Sequence, residues 1–363
     1  MLAKEKLTDV NEVRIVNKDI YLDFSCDYTQ GAHPIILEKL AETNMEPQTG
    51  YGYDSYCKSA EEKILKACAA PEGEVYFLAG GTQANAVVID ALLASYQGVL
   101  CADSGHISVH EAGAIESNGH KVLALPHENG KISAAEVEAA AESYHEDGNR
   151  DHMVMPGMVY ISQPTEYGTL YSLNELSAIS EVCRKYRMYL YVDGARLAYA
   201  LASPENYVTL QDLARLCDIF YIGGTKCGAL LGEAVVIPHK GLIPHFFSII
   251  KQHGALLAKG RVLGIQFDVL FEDELYLHIG EAAVSYAHRI QDALINAGLS
   301  VPFLSPTNQV FVTLEDSLKE RLEKNIGFSF WEKPDVNHTT VRLATSWATG
   351  EDAVEEFERL INT

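Results

Sequence analysis

Three short segments of the sequence contain residue types that could act together on a small molecule. The first is residues 79–85 (AGGTQAN), where two glycines and a threonine join an apolar run to a helical pattern. Glycines let the backbone approach a ligand, and free amides at a helix N-terminus favour a phosphate. Alone, the segment is equally typical of a tight turn without a ligand, since it matches neither G-x-G-x-x-G nor the P-loop pattern.

The second segment is residues 189–196 (YLYVDGAR), which places Asp193 at the carboxyl end of an apolar, strand-like run. Open α/β sheets bind their ligands at that end of the strands. An aspartate there could cap the next helix, coordinate magnesium or face a cationic ring nitrogen. On this segment alone, helix capping is the simplest interpretation.

The third segment is residues 221–228 (YIGGTKCG), in which Lys226 follows another apolar run and is surrounded by small residues. A partly desolvated lysine has a lowered pKa, which makes its free amine a nucleophile toward an aldehyde. A single lysine in a glycine-rich turn is usually only solvated. The amine, the acid and the phosphate site together, however, are the set that pyridoxal 5′-phosphate requires.

A fourth group would be a flat side chain above the cofactor ring. His106, in residues 105–113 (GHISVHEAG), follows the second strand-like run. A lone histidine more often packs or lies at the surface, so this assignment depends on the other three segments.

These motifs, in the order AGGTQAN, GHISVHEAG, YVDGARLAYA and GGTKCGA, resemble the threonine aldolase and β-eliminating lyase family of fold-type I pyridoxal-phosphate enzymes. The resemblance covers most of the chain, from residue 24 to residue 343. It implies that Lys226 forms an imine with the cofactor aldehyde, Asp193 faces the pyridine nitrogen and His106 stacks on the ring. The other cofactor contacts that it implies are Gly81, Thr82, Thr225, Arg196 and Arg261. Of these, Arg261 would approach the cofactor of a neighbouring subunit.

The substrate that the resemblance implies is an α-amino acid, whose carboxylate would be bound by Arg196, Arg342 and Ser25. The planar guanidinium group suits bidentate binding of a carboxylate. From its strand-like surroundings alone, Arg342 could equally be an arginine at an exposed sheet edge.

The segment after the fourth strand-like run departs from the family pattern. Where threonine aldolases usually read Glu-Asn-Thr-His-Asn, residues 162–168 read SQPTEYG, and Glu166 takes the place of the family histidine. A carboxylate could also accept the proton of a substrate β-hydroxyl, although its reach and charge differ. The exchange therefore puts a preference for threonine in question.

Two reactions fit these residues. Deprotonation of a β-hydroxyl would break the Cα–Cβ bond and give glycine and an aldehyde, which we expect. Transfer of the Cα proton to Lys226 would instead expel a group from Cβ and give a keto acid and ammonia. A non-catalytic binding protein of this fold is a further alternative, but it would need neither Lys226 nor Asp193.

The rest of the sequence predicts the elements that position these residues. Seven apolar, β-rich runs lie between residues 74 and 237, separated by helical stretches such as residues 173–186. Continuous apolar runs are typical of strands buried on both faces. We therefore predict an α/β fold with a mostly parallel seven-stranded sheet and helices on both faces, the fold-type I architecture. Strand-like runs and two helical stretches after residue 275 predict a smaller α+β C-terminal domain.

With 363 residues, the chain exceeds the usual size of about 100–200 residues per domain. We expect an N-terminal segment (1–45), a large cofactor-binding domain (46–275) and a small C-terminal domain (276–363). The formal charge of −22 argues against general nucleic-acid or membrane binding. Seven scattered cysteines without a C-x-x-C pair, and no signal-like start, favour a cytoplasmic protein without a metal. We expect a homodimer or homotetramer with sites at the subunit interface.

Overall fold

The structure is a computed structural model, and it describes residues 21–362. Its strands are β1 (Leu22–Asp23), β2 (Glu74–Leu78), β3 (Gln97–Ala102), β4 (Lys121–Leu125), β5 (Met155–Ser162), β6 (Tyr189–Asp193), β7 (Ile219–Gly223), β8 (Glu233–Ile237), β9 (Gln309–Glu315), β10 (Ile326–Gly327), β11 (Ser329–Glu332) and β12 (His338–Ala344). Its helices are α1 (Pro34–Glu42), α2 (Ser55–Ala67), α3 (Gly81–Leu92), α4 (His106–Val109), α5 (Ala114–Ser117), α6 (Ala134–Glu146), α7 (Leu173–Tyr186), α8 (Leu197–Leu201), α9 (Leu210–Leu216), α10 (Phe246–Gln252), α11 (Arg261–Leu270), α12 (Leu275–Asn296), α13 (Asp316–Leu322) and α14 (Glu351–Ile361).

The central sheet contains seven strands in the order β2-β8-β7-β6-β5-β3-β4. Four neighbouring pairs are parallel, and only β8 runs against its neighbours β7 and β2. Two hydrophobic cores are built on this sheet, with inward-facing residues of the same strands alternating between them. Strands buried on both faces explain the continuous apolar runs. The predicted seven-stranded, mostly parallel sheet is confirmed.

The helices between the strands form where amphipathic patterns and capping residues agree. Helix α7 has the bounds that the sequence predicts, and its buried side includes Leu176, Ile179 and Val182. At its start, Ser172 and Glu175 form a capping box, in which each side chain accepts from the backbone amide of the other. The helix therefore covers the sheet and returns the chain to begin β6.

After helix α12 the chain builds a smaller antiparallel sheet in the order β11-β12-β9. A third core lies behind it, and we call this part of the molecule (residues 287–361) the C-terminal region. Strand β1 joins the region by pairing in parallel with β10. Helix α12 contributes to both the sheet core and the C-terminal core, because Ala283 and Val284 belong to one and Ala287 and Ile290 to the other.

The boundaries at residues 45 and 275 stay our proposed division of the chain. Residues 1–20 of the proposed N-terminal segment lie outside the described part. Among residues 21–362, no helix has the length and apolar character that a membrane span needs.

Candidate active site

A cavity of about 340 Å³ lies at the carboxyl ends of the parallel strands. Asp193 is the last residue of β6, and Glu166 and Lys226 follow β5 and β7. Strands that run in the same direction end at one edge of the sheet, which explains why separate segments meet there. The residues selected from the sequence that line the cavity are Gly81, Thr82, His106, Glu166, Asp193, Arg196, Thr225 and Lys226.

Lys226 lines this cavity and is partly buried. Burial lowers the pKa of its ammonium group, and the positive charge of Arg196 lowers it further. The Tyr199 hydroxyl donates to the Lys226 carbonyl at 2.5 Å, which holds the backbone of this turn. The amine can therefore lose its proton more readily than the amine of an ordinary lysine.

Glu233 fixes the turn before Lys226, and the sequence did not single it out. Its two carboxylate oxygens accept from the Thr225 hydroxyl (2.9 Å) and the Gly224 amide (3.0 Å). Burial raises the pKa of Glu233 to about 8. Because the Thr225 hydroxyl hydrogen is donated to Glu233, Thr225 positions the lysine turn here, and its phosphate contact stays a prediction.

Asp193 is buried and accepts four hydrogen bonds. The hydroxyls of Tyr160 and Tyr221 each donate at 2.5 Å. The backbone amide of Ala195 donates at 2.9 Å, and the side-chain amide of Asn85 donates at 3.2 Å. Burial by itself would raise the pKa of Asp193, but the nearby histidine charge and these donors outweigh it and lower the pKa. Asp193 therefore stays ionised, as a partner for a protonated ring nitrogen must.

His106 is connected to Asp193 through two buried side chains. Its Nδ1 lies 2.8 Å from the Glu111 carboxylate, and Asn85 donates to the same carboxylate oxygen at 2.7 Å. The other Glu111 oxygen is buried without a hydrogen-bond partner among the described residues. This chain of contacts fixes the His106 ring at the cavity wall.

Helix α3 begins at Gly81, directly at the cavity. The first amides of a helix, here those of Gly81 and Thr82, have no acceptor within the helix and favour an anion. A Cβ atom at Gly81 would lie 3.1 Å from the Tyr221 hydroxyl, so a side chain would crowd this opening. A desolvated amine, an ionised acid, a flat ring and an anion-binding helix start thus surround one cavity, and this donor set fits pyridoxal phosphate.

Arg196 also lines the cavity, but part of its guanidinium is already engaged. Its Nε and one terminal nitrogen donate to Asp27 at 2.6 and 3.0 Å, and Asn308 donates to the same carboxylate at 2.9 Å. Burial by itself would raise the pKa of Asp27, but Arg196 outweighs it and lowers the pKa to about 2. The ion pair therefore persists, and one terminal nitrogen of Arg196 remains for a ligand.

Arg342 and Ser25 do not line the cavity, although Arg342 lies close behind it. Arg342 donates to the Gln309 side chain at 3.1 Å, and its buried Nε has no partner among the described residues. The Ser25 hydroxyl donates to Asp23 at 2.5 Å, which turns it toward its own strand. The carboxylate-binding roles of both residues stay predictions.

Glu166 lines the same cavity. Its Oε1 accepts from the Ser162 hydroxyl at 2.9 Å and from the His106 amide at 3.0 Å. Burial raises the pKa of Glu166, and the negative charge of Asp193 raises it further. These two donors fix the orientation of the Glu166 carboxylate.

Arg261 lies outside the cavity of its own chain. Its guanidinium donates to the carbonyls of Thr43, Asn44 and Glu46, just after helix α1. Its predicted contact with the cofactor of a neighbouring subunit stays a prediction.

Several polar residues of the site were missed by the sequence reasoning. Asn85 and Glu111 lie inside motifs that were quoted, but nothing in the motifs distinguishes them from helix residues. Tyr160 and Tyr221 fall within apolar strand runs, where a tyrosine is usually a packing residue. Asp27 meets Arg196 only through the fold, since 169 residues separate them.

Comparisons with known proteins agree with this geometry. The sequence profile of the β-eliminating lyase family matches residues 23–317. A low specificity L-threonine aldolase of Pseudomonas aeruginosa is 30% identical over 93% of this chain and 96% of its own length. A low specificity L-threonine aldolase of Saccharomyces cerevisiae is 24% identical over 89% of this chain and 82% of its own length.

Solved structures give the same picture. A threonine aldolase of Leishmania major superimposes with a TM-score of 0.91 at 41% identity, covering 94% of this chain and 98% of the other. An aspartate aminotransferase of Thermus thermophilus superimposes with a TM-score of 0.68 at 16% identity, covering 95% of this chain and 91% of the other. The second similarity shows the fold alone.

Proposed function

The chain belongs to the β-eliminating lyase family, as its motifs predicted, and on that premise we propose that it cleaves β-hydroxy-α-amino acids to glycine and an aldehyde. It is a pyridoxal-phosphate-dependent lyase similar to threonine aldolases. The observation that carries the proposal is one cavity lined by a partly buried lysine with a lowered pKa, an ionised aspartate and a glutamate with a raised pKa.

The cofactor would be held by residues of the sheet edge. Lys226 would bind its aldehyde carbon, Asp193 would face the ring nitrogen, and His106 would stack on the ring. The amides of Gly81 and Thr82 would receive the phosphate. When bound, the cofactor accepts the electron pair that is released at the substrate Cα.

Glu166 is the residue that we propose as the base for the β-hydroxyl. Ser162 and the His106 amide hold its Oε1, so the carboxylate is oriented before substrate binds. Its raised pKa brings it closer to neutral pH, where a general base is most effective. Oε2 would take the hydroxyl proton while the Cα–Cβ bond breaks.

The substrate carboxylate would be bound by Arg196 and Arg342, with Ser25 nearby. Arg196 is already paired with Asp27, so a second carboxylate meets a partly neutralised guanidinium. Arg342 has a buried Nε without a partner among residues 21–362, which suits it to take the larger share of the binding.

The test is to offer the purified holoenzyme L-threonine, L-allo-threonine, phenylserine and L-serine in turn. We expect glycine and the corresponding aldehyde from the β-hydroxy amino acids that fit the site. A keto acid with ammonia from the same substrates would refute aldol cleavage and favour β-elimination. No product from any substrate, with the cofactor bound, would favour a binding protein of this fold.

We also propose a homo-oligomer with its sites at the subunit interface. Tyr28 lines the cavity yet is 55% exposed, and Ile35 and Leu37 on helix α1 are about half exposed. Exposed apolar side chains of this size are typical of a surface that a second copy covers. Light scattering of the holoenzyme would test this, and a monomer at micromolar concentration would refute it.

A cytoplasmic location is likewise our proposal. It is supported by seven cysteines that are all free thiols, six of them buried. Unpaired thiols are typical of proteins in reducing compartments. Fractionation of cells that express the tagged chain would test it, and recovery outside the cytoplasm would refute it.

A further inference from the structure

Glu166 stands on a tight turn whose two ends are held by the C-terminal region. The Gly168 amide donates to the Thr165 carbonyl at 2.9 Å and closes the turn. The Thr307 hydroxyl donates to the Gly168 carbonyl at 2.9 Å, and the Gln309 amide donates to the Thr165 carbonyl at 3.3 Å. The backbone that carries Glu166 is therefore anchored to β9 and the loop before it.

The aromatic ring next to Glu166 is held in the same way. Tyr167 lies with its ring centroid 5.6 Å from that of Phe303 and 5.0 Å from that of Trp331. Both partners belong to the C-terminal region, so polar and apolar contacts fix the turn to the same neighbour.

Gln309 also contacts the arginine proposed to bind the substrate carboxylate. Its Oε1 accepts from an Arg342 terminal nitrogen at 3.1 Å, while its Nε2 donates to Thr165. The side chain is completely buried. Its orientation is fixed by chemistry, because a guanidinium can only donate and a carbonyl can only accept.

Arg342 has further donors that Gln309 does not engage. Its Nε is buried without a partner among the described residues, and its second terminal nitrogen lies 3.5 Å from the Ser25 carbonyl. An uncompensated buried donor is costly, so an arriving carboxylate would satisfy it. The same guanidinium is held at its other edge by Gln309.

We propose that Gln309 is a positioning residue that sets the separation between the Arg342 guanidinium and the Glu166 carboxylate, and thereby selects α-amino acids with a hydroxyl on Cβ. This inference rests on the proposed function, since it takes Arg342 and Glu166 as the two substrate-binding ends. A substrate that uses both ends depends on the link, whereas glycine uses only the arginine end.

The principal test is Gln309→Met, which keeps the side-chain size and removes both polar contacts. A misplacement on the scale of an ångström can cost about 10²-fold in rate, so we expect kcat/KM for phenylserine to fall about 10²-fold. The Kd of glycine, measured from the absorbance change of the holoenzyme, should rise only about fivefold. If Gln309 served only in packing, its replacement would weaken phenylserine cleavage and glycine binding to a similar extent.

Two further variants separate the two contacts. Gln309→Glu keeps an acceptor toward Arg342, but the new carboxylate neutralises the charge of the Arg342 guanidinium. Glycine should therefore bind more weakly than it does to Gln309→Met. Thr307→Val loosens the turn without touching Arg342, so it should lower kcat for phenylserine and leave the glycine Kd unchanged.

Thr339→Val is the control. Thr339 is a buried polar residue of β12 in the C-terminal region, and its hydroxyl donates to the Asp316 carboxylate at 2.7 Å, apart from Arg342 and the Glu166 turn. The variant should lower the melting temperature and leave both kinetic constants at the wild-type values. Melting temperatures of all variants identify any that fail to fold.

Equal losses for glycine and phenylserine in Gln309→Met, or losses no greater than those of Thr339→Val, would overturn this inference. In either case the wild-type enzyme would still cleave phenylserine, so the proposed function would survive. If the wild-type enzyme forms no glycine and aldehyde, the proposed function fails, and the inference about hydroxyl selection fails with it.

Discussion

The two ends of the cavity are built differently. At the cofactor end, Asp193 accepts four hydrogen bonds from neighbouring residues of the central sheet and its helices. At the proposed substrate end, Arg342 lies behind the cavity and keeps a buried donor without a partner in the described part of the chain, and the turn that carries Glu166 is held by the C-terminal region. The first end is complete within the central sheet and the helices around it, and the second is assembled between the central sheet and the C-terminal region.

This difference in construction suits two different tasks, which are to hold a cofactor and to bind and release substrates. A cofactor is the same in every turnover, so its site gains from a rigid, fully bonded frame. Substrates arrive and leave, so unfilled donors and a junction between two parts of the molecule suit their site. Changes at the cofactor end should therefore remove all chemistry, and changes at the substrate end should alter how well particular substrates react.

The strongest test of the cofactor end is Lys226→Ala. We expect activity to fall by more than about 10⁴-fold, because covalent binding and proton transfer are lost together. The visible absorbance band that borohydride removes should also disappear. Lys185→Ala, which removes an exposed lysine of helix α7 that pairs with Glu138, should keep both, and a normal band in Lys226→Ala would contradict the assignment.

Asp193→Asn tests the same end with a change of charge rather than of shape. Loss of one preorganised charge should lower kcat roughly 10³-fold and weaken cofactor retention in dialysis. Asp218→Asn is a suitable control, since Asp218 is a half-buried carboxylate at the opposite end of the sheet that accepts from the Leu190 amide at 2.7 Å. Near-normal turnover in Asp193→Asn would count against a role at the ring nitrogen.

At the proposed substrate end, Glu166→Gln should lower kcat for β-hydroxy amino acids roughly 10²-fold, because the proposed general base is removed. Binding of glycine should change little, since glycine has no hydroxyl. Glu142→Gln, a change at an exposed glutamate, should behave as wild type. A loss as large as that of Lys226→Ala would erase the distinction between the two ends.

The smallest effect is a shift in pH dependence. The Glu166 carboxylate must be ionised to accept a proton, so kcat/KM should fall as the pH drops through its pKa. Burial raises that pKa above the ordinary 4.5, so the midpoint of the acidic limb should lie above pH 4.5. The limb should vanish from the residual activity of Glu166→Gln, and its persistence there would assign it to another group.

Much of the fold followed from the sequence, because local patterns encode it. All seven central strands coincide with apolar runs that the sequence predicted, since each strand is buried on both faces. Lys226 and Asp193 were recognisable because each directly follows or ends such a run. Their chemistry is visible in residue type and position alone.

The supporting polar residues were not recognisable, because their partners are distant in sequence. Gln309 lies 144 residues from Thr165 and 33 from Arg342, and no local pattern relates the three. Glu233 reads as the first residue of an apolar strand, although its carboxylate secures the turn of Lys226. Such contacts exist only once the chain has folded.

The segment from Leu22 to Asp27 has a consequence for laboratory evolution of this catalyst. Leu22 pairs with Ile326 in the C-terminal region, and Asp27 forms an ion pair with Arg196 at the cavity. These six residues therefore connect the C-terminal region to the cavity. Random substitution of this segment would cause most variants to misfold. Removing the carboxylate partner of a buried guanidinium lowers the stability of the fold by about 3–5 kcal/mol. Libraries that aim at new aldehyde products should leave residues 22–27 unchanged and vary Tyr28 and His110. These two residues line the same cavity but take no part in the ion pair or the strand pairing.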